Sequence, residues 1–235
     1  MQDFLQLDGL TPFGNFSDTL EVFLVDLDKL QLNPSYAPAA ILSQEELARA
    51  DKFATLQLKN RFVARRWVLR MVLSGYCSLE PHVLEFHEGE FGKPYLRDQS
   101  IEFSLSHSKG TAAIAIAQTG LVGIDVETLP SMDTCREVAA TLMTSNEDIG
   151  HLLSQENEYR RTFLYYWTLK EAIIKAKGEG LSRNLHEIEF HEVIPEPVLS
   201  KLPASYGEFD DWNLHTAYIE NRQCMLAVAH RISVS

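Results

Sequence analysis

The stretch T-A-A-I-A-I-A-Q-T-G-L-V-G-I-D-V-E, residues 111–127, decides how this chain folds. It contains two short apolar runs, 111–117 and 121–127, with the residues Gln-Thr-Gly between them. Apolar runs of this length on either side of a glycine-containing turn predict two strands that are joined closely. The second run ends in Asp125 and Glu127, and residues two apart on a strand point to the same face. The pattern therefore predicts a strand that ends in a pair of carboxylates on one face.

A second segment, W-T-L-K-E-A-I-I-K at 167–175, has helical periodicity. Glu171 and Lys175 are four residues apart in it and therefore share one helix face. If this helix packs beside the strand, its glutamate joins Asp125 and Glu127, and the three carboxylates converge on one hard divalent cation. The lysine would then stand next to a phosphate. The alternative is an ordinary helix ion pair beside two acidic residues at a strand end.

Periodicity along the rest of the chain predicts mixed α and β structure. Strands are expected at 20–27, 83–88, 101–105, 187–193, 212–219 and 224–230. Helices are expected over 44–75, in pieces over 134–154, and from about 156 to 177, where Gly178 is a natural C-cap. The segment 195–210 contains three prolines and is predicted as a loop.

The chain also contains an internal similarity. V-L-E-F-H-E at 83–88 resembles E-I-E-F-H-E at 187–192, and A-A-I-A-I-A at 112–117 resembles C-M-L-A-V-A at 224–229. The order of predicted elements is similar in both parts of the chain. We therefore predict an α+β fold with two similar halves, residues 1–119 and 120–235, in one compact two-lobed unit.

Composition excludes several classes of protein. The 235 residues carry a net charge of −12, which argues against general nucleic-acid binding. The absence of a run of about 18 apolar residues argues against a membrane span. The start, M-Q-D-F-L-Q-L-D-G, lacks the features of a secretory signal. The three cysteines are widely spaced, as is typical of reduced thiols, so we expect a cytoplasmic protein.

The charge is uneven along the chain. The region 45–75 has seven basic and three acidic residues, a local balance of +4. The basic residues are Arg49, Lys52, Lys59, Arg61, Arg65, Arg66 and Arg70. A basic face on an acidic protein suits a polyanionic small molecule or an acidic partner, whereas the alternative is a solvated helix face.

Four motifs resemble those of the 4′-phosphopantetheinyl transferases, of the large, surfactin-synthetase-activating type. They are G-K-P at 92–94, F-S-L-S-H-S at 103–108, G-I-D-V-E at 123–127 and the helical segment 167–175. They occur in the family's order, and the similarity covers roughly residues 40 to 190. The resemblance implies two halves with pseudo-two-fold symmetry and an active site in the cleft between them.

The resemblance also implies roles for individual residues. Asp125, Glu127 and Glu171 would hold Mg²⁺, with Mn²⁺ as an alternative ion. Glu171 and Lys175 would be catalytic, the first as the base for the nucleophile and the second as a balance for phosphate charge. The residues implied in coenzyme A binding are Arg49, Gly92, Lys93, Pro94, Ser106, His107, Asp125 and Lys175. In this set, His107 and Arg49 would contact the 3′-phosphate of the ribose.

The expected activity is Mg²⁺-dependent transfer of the phosphopantetheine arm of coenzyme A to a serine of an apo acyl or peptidyl carrier protein, releasing adenosine 3′,5′-bisphosphate. Carriers of this class are generally acidic, so we expect docking near the basic helices of 45–75. Two alternatives stay open: a non-catalytic protein that binds coenzyme A or a carrier, and a Mg²⁺-dependent nucleotide pyrophosphatase. We expect a monomer, because two halves in one chain build a complete cleft.

Overall fold

The computed structural model describes residues 10–31, 36–97, 101–180 and 185–232, so the N-terminal residues 1–9, which were considered for a secretory signal, lie outside it. The described strands are β1 Leu10–Ser17, β2 Leu20–Asp26, β3 Phe86–Glu88, β4 Pro94–Leu96, β5 Glu102–Ser108, β6 Thr111–Ala117, β7 Leu121–Thr128, β8 Glu189–Glu192, β9 Val198–Lys201, β10 Trp212–Ile219 and β11 Cys224–Arg231. The described helices are α1 Pro38–Ile41, α2 Gln44–Ala50, α3 Leu56–Cys77, α4 Met132–Leu142 and α5 Glu156–Lys177. The chain is therefore a mixture of α and β structure, as predicted.

The first main sheet has the antiparallel strand order β1-β2-β6-β5 and packs one face on α3. Trp67, Leu69 and Leu73 of the helix are fully buried in this core, together with Ile114 and Ile116 of the sheet. Strand β6 is buried along its whole length, which explains why its sequence is a continuous apolar run without alternation.

The second main sheet has the antiparallel order β10-β11-β7 and packs one face on α5. The other faces of the two main sheets meet in a third core. Alternate residues of β7, which are Val122, Ile124 and Val126, pack there against Leu20 and Val22 of β2. The result is four layers, with a helix on each outside and two sheets between them.

The main elements agree with the sequence predictions, and the differences lie in short segments. The predicted helix at 156–177 and the strands at 111–117 and 121–127 are confirmed. The prediction of a strand over 83–88 is wrong in its first half, where a 3₁₀ turn covers Pro81–Val83. Strands β1, β4 and β9 were not predicted, and β9 lies within the expected loop 195–210. Strands β4 and β9 have only three and four residues and pair in two-stranded hairpins, so they carry almost no periodic signal.

The two main sheets share one pattern of connection. In each, the last strand of its part of the chain lies between an earlier strand and the next-to-last strand: β2-β6-β5 and β7-β11-β10. The first sheet has β1 as an additional strand beside β2. Across the described ranges, no helix combines the length and apolarity needed to cross a bilayer.

Candidate active site

Strand β7 and helix α5 approach each other unusually closely at Gly123. A Cβ atom on Gly123 would lie 1.9 Å from the carbonyl oxygen of Ala172 and 2.4 Å from the backbone nitrogen of Ala176. Only glycine allows this approach, and the helix presents small residues at the contact. Because Asp125 is two residues further along the same strand face, the contact brings α5 beside its carboxylate.

Asp125 is the centre of a hydrogen-bonded triangle from three elements. Its Oδ1 accepts a bond of 2.6 Å from Lys175 Nζ on α5 and one of 2.8 Å from Ser106 Oγ on β5. Lys175 Nζ also donates to Ser106 Oγ at 3.0 Å. The other oxygen, Oδ2, is buried without a hydrogen-bond partner in the described part of the chain. A buried carboxylate oxygen without a donor is costly, so this atom is a candidate to receive a cation or a ligand proton.

Alternate serines of β5 connect this strand to β7. Ser104 Oγ accepts a bond of 3.1 Å from the backbone nitrogen of Ile124. Ser108 Oγ donates to Glu127 at 2.8 Å and accepts from the backbone nitrogen of Thr128 at 3.2 Å. Sequence analysis assigned a role only to Ser106, but serine at every second position of F-S-L-S-H-S indicates a polar strand face. These bonds join the edges of the two main sheets beside Asp125.

The two glutamates of the site have raised pKa values. Glu171 is only 6% exposed, and burial, reinforced by the negative charges of Asp125 and Glu127, raises its pKa to about 7, against the opposing effect of Lys175. Burial, followed by the charge of Asp125, also raises the pKa of Glu127. Excess negative charge is therefore concentrated between β7 and α5, where a cation would stabilise it.

The carboxylates between β7 and α5 fit an open metal site better than a closed one. Among the residues that the structure describes, no three His, Cys, Asp or Glu side chains form a ready cage for an ion. Mg²⁺ rarely uses such cages, because it usually takes one or two carboxylates together with water and substrate phosphates. The unpartnered Oδ2 of Asp125 and the raised pKa values of Glu127 and Glu171 fit a site of that open kind.

Two neighbouring cavities contain most of the other predicted ligands. The first, of about 290 Å³, is lined by Gly92, Lys93, Pro94, Glu171 and Lys175, among others. The second, of about 760 Å³, is lined by residues that include Arg49, Pro94 and His107. Pro94 and Leu105 line both, so the two cavities share a wall. Ser106 and Asp125 are buried and line neither, and they contact Lys175.

Lys93 joins several elements through its ammonium group. Its Nζ donates to Glu102 Oε2 at 3.0 Å and to the carbonyl oxygens of Val122 and Ala176, both at 3.2 Å. Lysine beside the carbonyls of a helix's last turn is favourable for the helix dipole. The side chain therefore links β4 to β7 and to the C-terminal end of α5, and its contact with a coenzyme A phosphate stays a prediction.

Lys170, the neighbour of Glu171, is neither exposed nor directed at a phosphate site. Its fully buried ammonium donates to Glu147 Oε2 at 2.6 Å and to the carbonyl oxygen of Leu142 at 2.7 Å. Burial lowers the pKa of Lys170, and the bond to Glu147 opposes this. A lysine is tolerated here because Glu147 is itself satisfied, with Oε1 accepting from the backbone nitrogen of Phe190.

His107 lines the second cavity, with its side chain exposed there. Partial desolvation in the cavity, followed by the positive charges of Arg65 and Lys175, lowers its pKa to about 4. A phosphate bound nearby would oppose both cations and raise the pKa of the imidazole. The residue is thus placed to accept a proton as an anionic ligand enters.

The raised pKa of Glu171 predicts a pH dependence of stability. Folded Glu171, with its pKa raised to about 7, keeps its proton up to about pH 7, whereas a free glutamate loses its proton near its ordinary pKa of 4.5. The folded state therefore binds more protons in this window, and its free energy of unfolding should fall as pH rises from about 4.5 to about 7. Thermal unfolding in EDTA at pH 5 and pH 7.5 measures this. Glu171→Gln should lose several degrees less than the parent protein over this range, and parallel changes in both proteins would contradict the assignment.

The family model and three known proteins that match this chain all have 4′-phosphopantetheinyl transferase in their descriptions. The family model described as the 4′-phosphopantetheinyl transferase superfamily matches residues 121–227, a region that includes Asp125, Glu171 and Lys175. The chain is 34% identical over 219 residues to the 4′-phosphopantetheinyl transferase HetI of Nostoc, covering 91% of this chain and 88% of that protein. It is also 34% identical to a putative 4′-phosphopantetheinyl transferase of Synechocystis, covering 83% and 78%. It is 26% identical to the 4′-phosphopantetheinyl transferase Sfp of Bacillus subtilis, covering 72% and 74%.

Proposed function

This chain belongs to the 4′-phosphopantetheinyl transferase superfamily, and we propose that Asp125, Glu171 and Lys175 are the centre of its reaction. The protein is a 4′-phosphopantetheinyl transferase, which moves phosphopantetheine from coenzyme A to carrier proteins. The observation that supports the proposed centre is the contact of Lys175 with Asp125 beside a cavity that Glu171 also lines.

The reaction transfers a phosphoryl-linked group. A serine oxygen of the carrier forms a bond to the phosphorus that bears the pantetheine arm. The bond from this phosphorus to the bridging oxygen breaks, and adenosine 3′,5′-bisphosphate leaves with the electron pair. Negative charge on the phosphate oxygens grows during this step, so positioning and electrostatic stabilisation carry the catalysis. Lys175, held by Asp125 and Ser106, supplies a fixed positive charge at the cavity wall.

Glu171 accepts the proton of the serine hydroxyl. A general base is most effective when its pKa lies near the working pH, and burial raises the pKa of Glu171 to about 7. Its place in the lining of the first cavity gives the carboxylate access to a ligand there.

Mg²⁺ would be held by one or two carboxylates from the set Asp125, Glu127 and Glu171, together with phosphate oxygens of coenzyme A. The observation in favour is the buried, unpartnered Oδ2 of Asp125 among carboxylates of raised pKa. When bound, the ion neutralises negative charge on the pyrophosphate and on the leaving phosphate. Mn²⁺ has similar ligand preferences and would serve as a substitute.

Coenzyme A would lie across the two neighbouring cavities. Gly92, Lys93 and Pro94 line the first, beside the catalytic groups, and Arg49 and His107 line the second. The shared wall allows one ligand to place its pyrophosphate at the catalytic groups and its 3′-phosphate near His107. Ser106, Asp125 and Lys175 complete the binding set through the triangle of hydrogen bonds.

The active site would lie in a cleft between two halves related by pseudo-two-fold symmetry, residues 1–119 and 120–235. The matching orders β2-β6-β5 and β7-β11-β10 support this, as does the one long helix on each sheet. The turn between β6 and β7 contains Gly120 with a φ of +79°, a conformation that glycine adopts readily.

The acceptor would be an acidic apo carrier protein, and the enzyme would act as a monomer in the cytoplasm. The matching strand orders of the two main sheets, each with one long helix, would let one chain form both sides of the cleft, which supports a monomer. Cys77, Cys135 and Cys224 are free thiols, which are typical of a reducing compartment.

Release of adenosine 3′,5′-bisphosphate tests the mechanism. We expect release from coenzyme A only when Mg²⁺ and an apo carrier are both present, and none when the carrier serine is replaced with alanine. Chromatography of the nucleotides measures this. Equal release without a carrier would instead indicate a pyrophosphatase, and binding of coenzyme A without any release would indicate a non-catalytic protein.

A further inference from the structure

The arginines and lysines of 45–75 separate into two groups in the structure. Lys59 pairs with Asp51 and Arg61 with Asp28, while Arg66 and Arg70 both pair with Glu46. These four side chains are ion-paired within the protein, with three carboxylates for four cations, so the local charge of +4 is not a uniform basic face. In the part of the chain that the structure describes, no carboxylate pairs with Arg49 or Arg65.

Arg49 and Arg65 are held on the same aromatic ring. The guanidinium carbons lie 5.6 Å and 5.4 Å from the ring centroid of Phe62, within the range of cation–π contacts. All three residues line the cavity of about 760 Å³ that also contains His107. The buried Phe62 thus acts as a platform that orients two cations toward one space.

Arg65 has an unused hydrogen-bond donor inside this cavity. Its Nε is buried and has no acceptor among the described residues. Burial, followed by the charges of Arg66 and Arg49, lowers the pKa of Arg65 to about 10, so the side chain remains cationic at neutral pH. A buried cationic donor without an acceptor is costly, and a bound anion would remove the cost.

The carboxylates near the cavity do not compensate this charge. Glu46 is already shared by Arg66 and Arg70. Glu45, Glu85 and Glu88 line the cavity but are exposed at its rim, where water screens them.

We propose that Arg65 binds the 3′-phosphate of coenzyme A beside His107 and Arg49, and that it is a residue by which the enzyme distinguishes coenzyme A from dephospho-coenzyme A. This rests on the proposed function, because it takes coenzyme A as the ligand of the two cavities. The planar guanidinium of arginine presents two parallel N–H donors to a phosphate, and the pair on Phe62 keeps that fork in place. Sequence spacing cannot separate Arg65 from Arg61 and Arg66, which are ion-paired elsewhere.

The experiment is a thermodynamic cycle that combines removal of the Arg65 side chain from the protein with removal of the 3′-phosphate from the ligand. Isothermal titration calorimetry measures the Kd of coenzyme A and of dephospho-coenzyme A for the full-length protein, Arg65→Met, Arg65→Lys and Lys59→Met. The control Lys59→Met removes the same charge from the same helix, outside the cavity. We expect Arg65→Met to weaken coenzyme A binding about 30-fold, the effect of a charge-assisted hydrogen bond, and dephospho-coenzyme A by less than about 3-fold. Lys59→Met should change neither.

Arg65→Lys keeps the charge but loses the fork, so its preference for coenzyme A should lie between those of the parent and Arg65→Met. If Arg65→Met is unstable, the ratio of the Kd for dephospho-coenzyme A to the Kd for coenzyme A, measured in Arg65→Lys, tests the proposal instead. Equal weakening of both ligands would overturn the proposal. So would an unchanged ratio with a raised KM for the carrier, which would assign Arg65 to carrier docking.

Failure of the proposed function has a different signature. Transfer to a carrier by the parent protein is measured in parallel. A protein that binds coenzyme A but transfers nothing would contradict the proposed function while the cycle still reports on Arg65. A protein that binds neither ligand detectably would overturn both.

Discussion

Asp125→Ala is expected to lower kcat/KM for carrier modification by about 10³-fold, the scale seen when a single preorganised electrostatic group is removed. The carboxylate holds Lys175 at 2.6 Å and accepts from Ser106 at 2.8 Å. It also supplies the unpartnered Oδ2 proposed for the metal. The substitution therefore frees the catalytic lysine and removes a ligand at the same time. Steady-state transfer assays with saturating Mg²⁺ measure the loss.

The matched control is Asp133→Ala, which removes an exposed carboxylate on α4 whose one ion-pair partner among the described residues is the nearby Arg136. We expect its kcat/KM to equal that of the parent. Circular dichroism should show the same fold in both variants. Asp125→Ala with activity within about 3-fold of the parent would show that the triangle around this carboxylate is not needed for transfer.

Gly123→Ala is expected to reduce both stability and activity. The added methyl would overlap backbone atoms of α5, at 1.9 Å and 2.4 Å, and backbone cannot move aside as a flexible side chain does. Helix α5 must shift away from β7, at a cost of about 1–3 kcal/mol in the free energy of unfolding. The shift also moves Glu171 and Lys175 relative to Asp125, and a displacement of about 1 Å costs roughly 10²-fold in rate. Urea unfolding and transfer assays measure the two losses.

Gly89→Ala is the matched control for this substitution. A Cβ at Gly89 would make ordinary contact at 3.6 Å with the carbonyl oxygen of Lys93, so we expect little change in stability or rate. If Gly123→Ala kept the parent's activity, the close approach of β7 and α5 would not be what positions the catalytic groups.

The layered fold follows from the periodicity of a few segments. Residues 111–127 predict two strands because β6 is buried on both faces, and the side chains of β7 point alternately to the other sheet and to α5. The helix at 156–177 is long, amphipathic and ends at a glycine, so both ends were predicted correctly. Strands β4 and β9 escape prediction because three or four residues hold no measurable period.

The site shows a different limit of sequence reasoning. Spacing places Glu171 and Lys175 on one helix face, but it does not show that Lys175 pairs with Asp125, 50 residues earlier in the chain. The sequence does not distinguish Lys170 from an exposed helix lysine, yet the Lys170 side chain is fully buried against Glu147. The basic residues of α3 look alike in sequence, and only tertiary contacts separate the ion-paired Arg66 from Arg65. Partner choice over long sequence separations is set by packing, which local pattern does not contain.

The most direct test of the central claim is the intact mass of an apo carrier protein after incubation with this enzyme, coenzyme A and Mg²⁺. We predict a gain of one phosphopantetheine group on the carrier, abolished by EDTA and by replacement of the carrier serine, and reduced about 10³-fold in rate with Asp125→Ala. No gain in mass across several carriers, from an enzyme that binds coenzyme A, would contradict the account.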